Sequence, residues 1–132
     1  MIHGPRNADR LAAFDYVIQQ ERQRPVAAWL FAGDATHSGM TIELRNLLAE
    51  RFIAMADVAP VAVTPGNHDP DGDLNFLAKL RAKYPITVAT ASCVVDIAAV
   101  GLDQPLALAC LPYPSKARLV AAGTPHDQIH AV

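Results

Sequence analysis

Apolar residues recur at helical spacing near the N-terminus: Leu11, Phe14, Val17 and Ile18 share one side of residues 7–23, while Arg10, Asp15, Gln19 and Arg22 fill much of the other. This pattern predicts an amphipathic helix, stopped by Pro25. Residues 26–32 are then apolar without interruption, a run of strand length that suits a sheet covered on both faces. A second helix is expected over 41–57, with Ile42, Leu44, Leu47, Leu48, Phe52 and Met55 inward and Glu43, Arg45, Glu50 and Arg51 outward. Pro60 closes it, residues 61–64 read as another buried strand, and Pro65 opens a run of turn formers. A third helix is expected over 74–84, after the turn at 71–73.

Beyond Pro85 the texture becomes strand-like. Residues 86–89, 92–100 and 106–111 predict three strands, the first two with no room for a helix between them, so the sheet is expected to be mixed there. A loop, a short helix over 116–121 and a polar end complete the chain; His126 and His130 in that end read as solvated tail residues. Alternation of helix and strand up to residue 65 argues for an α/β fold of one domain spanning residues 1–132, with functional groups gathered beyond the carboxyl ends of the strands.

Composition narrows the function without choosing it. With 52% hydrophobic and 18% charged residues among 132, the chain has what a folded core needs. Its formal charge of −2 offers no overall attraction for nucleic acid, so a DNA substrate requires local cations. Cys93 and Cys110 sit in apolar, strand-prone runs without C-x-x-C spacing, and are expected as reduced core thiols. No apolar leader or span-length stretch is present, which predicts a cytoplasmic location. No Gly-rich phosphate loop of the nucleotide-binding types occurs either.

Two polar clusters lie where an α/β fold puts its chemistry. Gly33-Asp34-Ala35-Thr36-His37 follows the first strand and Gly66-Asn67-His68-Asp69 the second, and parallel neighbouring strands would bring Asp34 and Asn67 to one sheet edge. Both clusters are also composed of ordinary turn residues. A carboxylate and an amide oxygen are donors suited to Mn²⁺ or Mg²⁺, and imidazoles extend the set toward Zn²⁺ or Fe.

GDATH followed by GNHD resembles the second and third signature blocks of the calcineurin-like metallophosphoesterases. Within that superfamily the chain is most similar to the SbcD-type DNA repair exonucleases, on three features: His37 three residues after Asp34, the segment RLAAFDYVIQQ at 10–20, and LPYP at 111–114. The resemblance implies a layered α/β/β/α sandwich and a pair of divalent metal ions, Mn²⁺ by preference. It makes Asp34 the bridging carboxylate, Asn67 a ligand, and His68 the residue facing the scissile phosphate. His37 would contact substrate or a water beside the metals, or else stand as a solvated loop residue, and Asp69 would orient His68 or brace the loop. The ions would activate a hydroxide for in-line attack. A coiled-coil, SbcC-like ATPase partner is implied in the same way.

The family's opening Asp-x-His block corresponds here to Met1-Ile2-His3, with methionine in the aspartate's place and His3 as the block's histidine. Its later histidine and Gly-His-x-His blocks have no counterpart. The resemblance therefore implies a partial domain, lacking the first strand and the C-terminal strands, with too few ligands for two ions. Three functions stay open: a nuclease-like phosphodiesterase, a phosphomonoesterase or nucleotide pyrophosphatase on the same chemistry, and a non-catalytic remnant that binds a metal weakly or only a partner.

Overall fold

The computed structural model describes residues 5–21, 23–36, 39–114, 116–121 and 123. Their elements run α1 (Pro5–Gln20), β1 (Trp29–Phe31), α2 (Ile42–Ala56), β2 (Val61–Val63), a 3-10 helix (Asp73–Lys79), β3 (Ile86–Val88), β4 (Cys93–Ile97), β5 (Leu106–Cys110) and α3 (Lys116–Ala121). The strands make two sheets. One is parallel in the order β1-β2-β3, with Trp29, Val61 and Ile86 in register; the other is the antiparallel β4-β5 hairpin. The α/β expectation holds, but not the mixed sheet, because β3 completes a parallel set and, among the described residues, the last two strands pair only with each other.

Strand pleating decides which side of the parallel sheet becomes core. Trp29, Phe31, Val61, Val63, Ile86 and Val88 belong to one face, where they meet Leu48, Phe52 and Met55 of α2, Phe14 and Ile18 of α1, and Leu74, Phe76 and Leu77 of the 3-10 helix. Phe14, Phe31 and Phe52 form an aromatic triangle with ring centroids 5.2–6.1 Å apart, two of the three contacts edge-on, the arrangement that the ring quadrupole favours. The opposite face carries Leu30, Ala62 and Thr87. Ala62 is buried but Leu30 is 62% exposed, so the expectation of cover on both faces fails at β1. Among the described residues β1 borders β2 alone, and an edge position leaves its outward side chain in water.

α2 starts and stops for local reasons. Thr41, extended at ψ 161, caps it by accepting the Leu44 N–H at 3.2 Å, and Asp57 closes it through its N–H to the Ile53 carbonyl. Within the first turn the Glu43 carboxyl is held below its usual range, chiefly by a backbone N–H and then by the Thr41 hydroxyl. Ile42, expected inward, is 76% exposed and lines an open cleft. Asp15, expected outward on α1, instead reaches α2 and pairs with Arg51 at 2.8 Å.

The third helix is shorter and tighter than its periodicity suggests, ending at Lys79. Leu80 is extended, and beyond it the Lys83 N–H goes to Asp57 Oδ1 at 3.1 Å and the Tyr84 N–H to the Ala56 carbonyl at 2.8 Å. The C-terminus of α2 takes up the donors that a continuing helix would have used internally. Cys110 is buried as expected, whereas Cys93 is exposed, and the two face each other in register across the hairpin. No helix of the described residues is long and apolar enough to cross a membrane.

Phe52, one corner of the aromatic triangle, is fully buried, so Phe52→Ala is expected to cost about 3–5 kcal/mol in urea unfolding. Leu30→Thr, on the open face, should stay within about 0.5 kcal/mol of wild type.

Candidate functional site

Both polar clusters leave the same edge of the parallel sheet, at the carboxyl ends of the adjacent strands β1 and β2. The sheet continues one step beyond the strands, where the Thr64 N–H donates to the Phe31 carbonyl at 2.9 Å. The two loops then meet backbone to backbone. A Cβ on Gly33 would overlap Gly66, and one on Gly66 would lie 2.6 Å from the Asp34 amide nitrogen, so neither position has room for a side chain.

The Asp69 side chain locks this junction. Its Oδ2 accepts the Asp34 N–H at 2.8 Å and the Gly66 N–H at 2.9 Å, and its Oδ1 accepts the Thr36 N–H at 3.0 Å. Asp69 is 6% exposed and Thr36 4%; a buried carboxylate is tolerable when several N–H groups solvate it. The Thr36 hydroxyl adds longer contacts of 3.4 Å to the His68 carbonyl and to Asp69. In return Asp34 Oδ1 accepts the His68 N–H at 3.2 Å. Asp34 has a left-handed backbone, φ 61, directly after Gly33 at φ 84. That conformation costs most side chains about 1–2 kcal/mol, and Asp is one of the few that visit it routinely. The turn thereby directs the Asp34 carboxylate toward the second loop.

Asp34, Asn67 and His68 are all exposed, so the side chains with chemistry to offer stand in solvent above a buried frame. His3 and His37 lie outside the described residues. Sequence reading singled out Asp69 but gave no weight to Thr36, whose buried hydroxyl sits between the two loops. A small polar residue two places after a strand-end Asp was the available signal. An open cleft of about 360 Å³ begins just downstream of both loops, between the start of α2 and the start of the 3-10 helix, with Arg45 and Lys79 in its lining. The Arg45 guanidinium lies 4.7 Å from the centre of the Phe76 ring, which fixes one cation at its wall.

A family model for the calcineurin-like phosphoesterase domain matches residues 2–111. This chain belongs to the calcineurin-like phosphoesterase family. The chemistry of that family is metal-dependent hydrolysis of phosphoesters, generally with two divalent ions. No curated protein matches the chain.

The described residues of this phosphoesterase fit only part of such a centre. Asp34 and Asn67 offer oxygen donors of the kind that hard divalent ions prefer. Among the described residues, however, no group of three or more His, Cys, Asp and Glu is placed to hold a metal, and the Asp69 oxygens are engaged by amide N–H groups. Two oxygen donors are fewer than a pair of first-row divalent ions would require.

Asp69→Asn replaces one of the accepting oxygens by an NH₂ facing amide donors. It is expected to cost on the order of 3 kcal/mol and to accelerate hydrogen exchange at the Asp34, Thr36 and Gly66 amides ahead of those in β2, as read by NMR.

Proposed function

We propose that this phosphoesterase is a metal-dependent phosphodiesterase of the SbcD nuclease type, acting on DNA. The observation that carries the reading is the locked pair of strand-end loops, with Asp34 and the Asn67-His68 pair presented together at one sheet edge in a member of a phosphoester-hydrolysing family. The SbcD-type assignment adds GDATH with its histidine, RLAAFDYVIQQ and LPYP. An SbcC-like ATPase partner belongs to the same proposal.

In this reading Asp34 and Asn67 are ligands to Mn²⁺, with His3 as a further ligand. Divalent ions, when bound, supply Lewis-acid polarisation and a hydroxide at neutral pH. His68, exposed beside Asp34, donates a proton to the leaving oxygen or balances charge on the phosphoryl group, and His37 touches substrate. Asp69 acts through the backbone, holding both loops in place. Because the chain is acidic overall, with a formal charge of −2, attraction of DNA falls to local cations, and Arg45 and Lys79 of the neighbouring cleft are the pair nearest in sequence to the two loops.

The same acidity favours a second reading, a phosphomonoesterase or nucleotide pyrophosphatase whose small substrate needs no extended basic surface. The incomplete ligand set among the described residues favours a third, a non-catalytic remnant.

A substrate panel with and without Mn²⁺, combined with calorimetric Mn²⁺ titration, separates the three. The expected outcome is Mn²⁺-dependent cleavage of DNA and of bis-p-nitrophenyl phosphate, slowed about 10²-fold or more by His68→Ala, with saturable Mn²⁺ binding lost in Asp34→Asn. Turnover confined to p-nitrophenyl phosphate or nucleotide anhydrides supports the second reading. Absence of saturable Mn²⁺ binding to the wild-type chain overturns both enzymatic ones.

A further inference from the structure

Cys93 is the first residue of β4 and Cys110 the last of β5, and the antiparallel register sets them directly opposite one another at the open end of the hairpin. Cross-strand partners project to the same face. Here that face is the inner one: Val95, Ile97, Leu106 and Leu108 on it are buried or half-buried, while Val94, Asp96, Ala107 and Ala109 on the other are exposed. Both thiols are free. Cys93 is open to solvent and Cys110 is 6% exposed, so one sulfur can meet a reagent while the other waits behind it.

We propose that Cys93 and Cys110 form a reversible disulfide that closes the open end of the β4-β5 hairpin. Directly opposed residues of an antiparallel pair have Cα atoms roughly 4.5–5.5 Å apart, inside the range a disulfide spans. Their Cβ atoms are usually about 4.5–5.5 Å apart, somewhat wider than the bridge prefers, so bond formation draws the last rung together. The bond is consequently reducible rather than permanent. The terminal rung has the freedom to tighten, since bends at 91–92 precede it and the loop at 111–114 follows it.

The oxidant is a peroxide. The Cys93 sulfur attacks one oxygen of H₂O₂, the O–O bond breaks, and a sulfenic acid and one water result. The Cys110 thiolate then attacks the Cys93 sulfur, the S–O bond breaks, and the hydroxide leaves with the Cys110 proton as a second water. Two thiols are oxidised by two electrons in all, and a dithiol reductant reverses the step.

The crosslink reaches toward the candidate site. Three residues past Cys110, the Tyr113 N–H donates to the Pro65 carbonyl at 3.2 Å, immediately before the Gly66-Asn67-His68-Asp69 loop. Pinning the end of β5 therefore steadies the segment that carries this bond.

The test treats the full chain with dilute H₂O₂, removes the peroxide, unfolds the chain in guanidinium chloride while blocking remaining thiols with N-ethylmaleimide, and maps the non-reduced peptides by mass spectrometry. The expected product is a monomer lighter by two hydrogen atoms, with peptides bearing Cys93 and Cys110 joined, neither alkylated, and both recovered after dithiothreitol. Cys93→Ser, at an exposed position, should fold as wild type by circular dichroism and leave Cys110 fully alkylatable; Cys110→Ala should leave Cys93 to accumulate sulfenic and then sulfinic acid. Oxidised wild type is also expected to exchange amides in 106–113 more slowly. The proposal is overturned if Cys93 in the wild-type chain proceeds to sulfinic acid while Cys110 remains alkylatable, or if the only disulfide found joins two chains.

Discussion

One carboxylate accepting three main-chain N–H groups holds the two strand-end loops of this protein together. Asp69 draws the Asp34, Thr36 and Gly66 amides onto its two oxygens, and the bonds run between loops that belong to different strands. Charge-assisted bonds of this kind are roughly twice as strong as neutral ones. In a buried setting each also removes the penalty of an unsatisfied donor. The contact between Gly33 and Gly66 and the left-handed backbone at Asp34 are conformations a free chain would leave, and the Asp69 bonds keep them in place. The parallel sheet brings the two loops near each other, and the carboxylate turns that nearness into a fixed geometry.

Legibility of the sequence followed the range of the forces involved. α2 was readable almost to the residue because its signals are local, with Thr41 at one end and Asp57 before Pro60 at the other. The buried character of β2 was equally plain, as all three of its residues are apolar and inaccessible. Errors arose where tertiary contacts decided. Residues 80–84 have a helical pattern but are drawn to the end of α2 by Asp57 and Ala56. Leu30 looks like core and lies on the open side of an edge strand. Asp15 fits a solvent face, yet Arg51 lies within its reach. The pairing of β4 with β5, and with it the juxtaposition of Cys93 and Cys110, is a matter of register, which alternation by itself leaves undetermined.

The candidate site divides along the same line. The meeting of the two polar loops was legible, because adjacent parallel strands bring the segments that follow them to one end of the sheet. The internal wiring of the site was not. Nothing in GNHD indicates that the final aspartate spends its oxygens on backbone amides, nor that Thr36 is buried between the loops. The hairpin is likewise joined to the rest at points that sequence does not mark: the Val100 N–H to the Ala27 carbonyl at 2.8 Å, and the Tyr113 N–H to the Pro65 carbonyl at 3.2 Å. These tethers link the second sheet to both ends of the first.

Because Asp69 grips main-chain groups, the frame takes no account of which side chains occupy most of the positions it secures. Asn67 and His68 stand in solvent, and replacing either would leave the Asp69 bonds intact. An architecture of this sort separates inheritance of shape from inheritance of reactivity: descendants can drift in what they recognise, or lose turnover altogether, while folding just as well. Glycines 33 and 66 and the aspartate at 69 are the positions where drift should be least tolerated, whatever the protein has come to do.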